Sequence, residues 1–154
     1  MRPDVLHLTL VFMGQVDSTR VLEINDGLAA VARRHAAFRT ATDGAGGHVD
    51  DRAGARPGGV AWLTLGDGAA QTADLALDAD SAIAAHTYDE RRRPRPHLTV
   101  ARALDVAALA ALRDLAPSMR LAWTTSSLVL FRSHLGQGGS HYEPLATHPL
   151  SHIT

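Results

Sequence analysis

The chain has 154 residues, of which 45% are hydrophobic, and a formal net charge of −1. This length suits one domain or two intimate lobes, and a chain of this size buries roughly 68–70% of its unfolded surface, enough for a real core. The near-neutral charge argues against a broadly basic nucleic-acid binder, the lack of cysteine excludes disulfides and thiolate metal sites, and no apolar run has membrane-spanning length.

Residues 5–14 read as a strand ending at Gly14. Alternation puts His7 and Thr9 on one face and Leu6, Leu8, Leu10 and Phe12 on the other. His and Thr interrupt the apolar run, and no small-residue cleavage site follows it. The expectation is therefore a cytoplasmic protein with no signal peptide and no membrane partner. Asp17 or Ser18 can cap a helix running to about His35, with Val21, Ile24, Leu28 and Val31 at helical spacing. Residues 37–42 suit a short strand. Residues 43–59 hold six Gly and no periodicity, which predicts a mobile loop. Val60–Leu65 reads as a strand, Gly66-Asp67-Gly68 as a turn and 69–86 as an Ala-rich helix. Pro94 and Pro96 keep the segment before His97 extended. A strand follows to about Ala103, and Asp105 can cap a third helix ending near Leu115. Residues 119–124 and 127–133 read as strands, 134–140 as a Gly-rich loop and 141–147 as a last strand.

The most telling feature is a repeat. His97-Leu98-Thr99-Val100 copies the pattern of His7-Leu8-Thr9-Leu10, 90 residues on. His152-Ile153-Thr154 has the same spacing, but no strand follows it. A similar order of helix and strands follows each of the first two motifs. The expectation is an α+β fold, with residues 1–154 forming one domain of two pseudo-symmetric lobes. Each lobe is mainly antiparallel sheet with helices outside and a central cleft between. A parallel doubly wound sheet is the alternative; it is disfavoured because its central strands are apolar on both faces, whereas the motif strands are polar on one.

Two imidazoles held across one phosphate are suited to acid–base work. Phosphodiester cleavage needs a base to take a proton from water and an acid to protonate the leaving oxygen. Imidazole titrates near pH 6.5, so one His can be neutral while the other is cationic. His97 is taken as base and His7 as acid, although the residues alone leave that direction open. The Thr9 and Thr99 hydroxyls can donate to non-bridging phosphate oxygens. All fifteen basic residues are Arg, and five of them lie between Asp89 and Arg102 against two acidic residues. This local +3 favours phosphate beside the second motif. Arg102 is assigned to substrate binding through charge. No metal is expected, because no Asp/His cluster has ligand spacing. No cofactor is expected either, because no P-loop or dinucleotide fingerprint is present. Trp62 and Tyr142 are read as core residues.

The residues resemble the two-histidine (2H) phosphoesterases, in particular the bacterial RNA 2',3'-cyclic phosphodiesterase family, also called 2'-5' RNA ligase. Leu6-His7-Leu8-Thr9-Leu10 with Phe12-Met13-Gly14-Gln15-Val16 resembles the first motif and its exit turn. Trp62-Leu63 resembles the middle strand. Arg93-Pro94-Arg95-Pro96-His97-Leu98-Thr99-Val100-Ala101-Arg102 resembles the second motif. Leu130-Phe131-Arg132-Ser133-x-Leu135, followed by Gly139-x-x-Tyr142-x-x-Leu145, resembles the C-terminal signature. The resemblance implies hydrolysis of RNA 2',3'-cyclic phosphate ends to a 2'-phosphate, with RNA ends or small cyclic nucleotides as partners. ATP-independent 2'-5' end joining is the reverse reaction. Arg132 joins Arg102 as a substrate-binding residue. Family members usually carry a strand and a helix before the first motif, which here begins at residue 7. The expected consequence is an exposed sheet edge through which two copies can pair. The competing readings are a non-catalytic RNA-end binder or oligomerising protein, and a 2H enzyme acting on another cyclic phosphate, such as one of ADP-ribose.

Overall fold

The computed structural model describes residues 6–49, 58–84, 96–136 and 139–152. The elements in chain order are α1 (Val21–Arg34), β1 (Phe38–His48), β2 (Gly59–Leu65), α2 (Ala69–Ile83), β3 (His97–Leu104), α3 (Val106–Leu115), β4 (Ala122–Thr125), β5 (Ser127–Gly136) and β6 (Gly139–Pro149). They form a four-stranded sheet of order β3-β2-β1-β4 and a two-stranded sheet β5-β6. β1 with β2, β2 with β3, and β5 with β6 are antiparallel, as the α+β reading expects. Among the described residues no helix is long and apolar enough to cross a membrane. The basic residues Arg91, Arg92, Arg93 and Arg95 lie outside the described residues.

The chain divides into two compact units. The first comprises Met1–Thr9, Arg39–Ala70 and Arg95–Trp123. Its organising strand is β2, where Ala61, Leu63 and Leu65 are buried and Val60, Trp62 and Thr64 are half-buried. This period of two is what an alternating apolar strand produces. Leu63 packs with Leu98 of β3 and Ala116 just after α3, and Leu8, Ala45, Val100 and Leu112 close around them. Helix α3 begins where Asp105 accepts a hydrogen bond from the Ala108 amide at 2.8 Å. Removing that cap by Asp105→Ala should lower stability by about 1 kcal/mol, measured by urea denaturation.

β1 departs from the expected pattern. The predicted strand 37–42 continues through the glycine-rich stretch to His48, where a loop is expected. Glycine is a weak strand residue, but here close packing selects it. A Cβ on Gly47 would lie 2.5 Å from Leu109 Cδ1 and 2.6 Å from the Val60 carbonyl. The N-terminal segment departs the other way. Of the predicted strand 5–14, the described residues 6–14 form one isolated antiparallel bridge, Leu8 to Leu98. Leu6 and Phe12, expected on a core face, are 38% and 67% exposed.

The second unit comprises Leu10–Phe38, Gln71–Pro94 and Thr124–Thr154. Asp17 caps a short 3-10 turn, accepting from the Thr19 amide at 2.9 Å, and α1 follows. Ile24, Leu28 and Val31 of α1 pack with Leu75, Ala79 and Ile83 of α2 and with Leu128, Leu130 and Leu150. Each fully buried Leu or Ile contributes roughly 1.5–3 kcal/mol. Strands β5 and β6 extend into the predicted loop 134–140, with Gly136 paired to Gly139. Beside α2, Asp78 takes a 2.9 Å hydrogen bond from His35 Nε2, with Arg34 nearby. The His35 bond and the adjacent charges hold the Asp78 carboxyl below its ordinary 3.8. A depressed carboxyl stabilises the fold above its unfolded pKa and loses that contribution as the pH falls through its folded value. The melting-temperature gap between the native chain and Asp78→Asn should therefore be open at pH 6 and close below pH 4.

Candidate active site

Both motifs belong to the first unit. His7 and Thr9 lie on its N-terminal segment, His97 and Thr99 on β3, and all four are half-buried. The Leu8–Leu98 bridge sets the two segments side by side. A ladder continued from that bridge would set His7 across from Thr99 and Thr9 across from His97, but among the described residues the bridge stands alone. Leu8 and Leu98 both pack into the core, and on β3 alternation leaves His97 and Thr99 on the other face. Directly opposed side chains have Cβ atoms roughly 4.5–5.5 Å apart, and diagonal ones roughly 7–8 Å. On that continued register the two imidazoles would be diagonal neighbours, each across from a threonine.

Arg102 reaches the same face by an irregularity. Strict alternation from His97 assigns it to the core face. Thr99, however, pairs with Trp62, while Ala101 pairs with Ala61. Val100 is thus an extra residue, and Arg102, opposite Val60, returns to the polar face. A second irregularity follows at Ala103, which has φ 57°. Arg102 is exposed, so its guanidinium is accessible to an anion. Arg132 lies in the second unit, on β5 opposite Glu143, and is not among the residues that the first unit gathers.

Two residues expected in the core, Trp62 and Tyr142, lie outside it, and His48 joins the polar face unannounced. Trp62 was expected in the core. The structure puts it on the polar face, opposite Thr99, with its ring centroid 5.5 Å from that of His97. His48 has its ring 6.2 Å from that of Trp62. The alternation of β2 already separates Trp62 from Leu63, which is a usable signal. Nothing in the sequence signalled His48, because its strand was read as a loop. Tyr142, also expected in the core, instead meets Phe131 edge-on at 6.1 Å. Thr64, opposite His97, donates to Asp43 at 2.7 Å.

Two His-x-Thr segments joined side by side through an antiparallel bridge are the arrangement expected of a two-histidine phosphoesterase. The chain belongs to the 2'-5' RNA ligase superfamily, whose family model matches residues 2–137. A curated relative, the RNA 2',3'-cyclic phosphodiesterase of Geobacillus stearothermophilus, is 30% identical over 148 residues, which are 94% of this chain and 45% of that protein. The chain therefore spans a little under half the length of that relative. The crystal structure of TT0787 from Thermus thermophilus has the same fold, with a TM-score of 0.76 and 22% identity over 100% of this chain and 82% of that one. The apo structure of E. coli LigT gives a TM-score of 0.70 and 25% identity over 98% of this chain and 79% of LigT. LigT complexed with 3'-AMP gives 0.64 and 23%, over 96% and 78%.

Proposed function

We propose that the chain hydrolyses 2',3'-cyclic phosphate ends of RNA to 2'-phosphates without a metal, using His7, Thr9, His97 and Thr99. The observation that carries this reading is the Leu8–Leu98 bridge, which brings the two motif segments side by side. The name of the Geobacillus relative supports the substrate class. In the proposed step, His97 takes a proton from water as the water oxygen bonds to phosphorus. The bond from phosphorus to the 3'-oxygen breaks, and His7 protonates that oxygen. Thr9 and Thr99 donate to the non-bridging oxygens, where charge builds, and Arg102 adds a cation. A cyclic phosphate of this kind requires a 2'-hydroxyl, so the substrate is RNA or a ribonucleotide. With a 5'-hydroxyl in place of water as the nucleophile, the same ring opening forms a 2'-5' phosphodiester, leaves a 3'-hydroxyl and needs no ATP.

The test is incubation of a 2',3'-cyclic nucleotide and a cyclic-ended oligoribonucleotide with the chain in the presence of a chelator. Ring opening to the 2'-phosphate is the expected result. Loss of activity on chelation overturns metal independence. Tight binding without turnover favours an RNA-end binder, and faster turnover of an ADP-ribose cyclic phosphate reassigns the substrate. Sedimentation in the same buffer tests pairing of two copies through a sheet edge.

A further inference from the structure

We propose that Trp62 is a positioning residue for His97, an inference that rests on His97 being one of the two proton-transfer groups. β3 has two neighbours in the first unit. On one side lies the segment carrying His7 and Thr9; on the other lies β2. A histidine on a strand has several staggered χ1 wells, and some of them swing the ring sideways toward a neighbouring strand. For His97, the productive direction is toward Thr9 and His7. Trp62 occupies the other side. Its indole meets the imidazole at a centroid distance of 5.5 Å and an interplanar angle of 55°, a favourable tilted geometry for two rings.

The indole is itself held in place. Gly46 lies opposite Trp62 on β1. A Cβ on Gly46 would stand 2.5 Å from the indole Nε1, 2.8 Å from Cε2 and 3.0 Å from Cζ2. The indole therefore rests directly on the Gly46 backbone, in space that only glycine leaves open. His48 flanks it further along β1, with a centroid distance of 6.2 Å. Backed by β1, Trp62 is a wall that denies His97 the orientations leaning toward β2.

The experiment uses the full chain with Trp62→Leu, Trp62→Phe and Gly46→Val. It has two readouts: turnover of 2',3'-cyclic AMP, and the proton resonance of the His97 Cε1–H group. Trp62→Leu should lower kcat about tenfold and change KM by less than about twofold, because misaligning a reacting group affects the chemical step. Trp62→Phe should restore kcat to within about threefold of the native value, because a ring again stands beside the imidazole. Gly46→Val, which displaces the indole, should resemble Trp62→Leu. The His97 resonance should lose its ring-current displacement in Trp62→Leu and keep most of it in Trp62→Phe. A loss confined to KM overturns the proposal, because the indole then contacts substrate. An unchanged kcat in Trp62→Leu, equal impairment of the Leu and Phe variants, or an unmoved His97 resonance also overturns it. The resonance can be read without any substrate. If the native chain is inactive but the resonance shifts as expected, the phosphodiesterase reading fails while the ring packing stands.

Discussion

Replacing His97 with Ala should lower kcat for ring opening by about 10²- to 10⁴-fold, and replacing His7 with Ala should do the same. The single variants should also separate the two roles. The native pH–rate profile should be bell-shaped, rising as the base loses its proton and falling as the acid loses its own. Each alanine variant should lose one limb of that bell. The double variant should be scarcely slower than either single one, because groups that act as a unit are strongly non-additive. Steady-state kinetics on a 2',3'-cyclic nucleotide between pH 5 and 9 would decide the matter. A His97→Ala variant that keeps both limbs and most of its rate would remove the imidazole pair from the mechanism.

Leu98→Ala should have the largest combined effect on stability and activity. Leu98 is 6% exposed, lies opposite Leu63, and forms the bridge to Leu8. Truncating it opens a cavity and should reduce stability by about 2–5 kcal/mol. That is a large share of the roughly 5–15 kcal/mol typical of a domain. It also loosens the contact that aligns the motifs, so kcat should fall in the molecules that remain folded. Leu75→Ala provides the comparison. Leu75 is 1% exposed in the core of the second unit. It should lose similar stability but keep kcat. Urea denaturation and turnover measured well below the unfolding transition separate the two effects. Equal kcat in both variants would show that the bridge has no part in alignment.

Much of the site was legible in the sequence because its chemistry is local. His-x-Thr on an alternating strand, as on β3, puts both polar groups on one face, whatever the strand pairs with, and the capped start of α3 is read from Asp105, whereas Asp17 caps the 3-10 turn that precedes α1. What was not legible depended on tertiary neighbours. Gly44, Gly46 and Gly47 have weak strand propensity, and only an indole and a leucine pressing on the latter two explain why a strand runs through them. Trp62 is large and apolar, so composition sends it to the core; its position on the polar face follows from the register of three strands. The face occupied by Arg102 depends on the extra residue Val100, which no periodicity announces.

The two histidines are anchored very unequally. His97 sits in a strand laced to β2 along most of its length, whereas among the described residues the backbone around His7 meets β3 at a single bridge. Amide exchange should register that inequality: Leu98 protected close to the global unfolding limit, Leu8 exchanging through a shallow local opening. In the proposed mechanism the acid is therefore the member of the pair on the more loosely held segment, and turnover should fall as that segment opens more often.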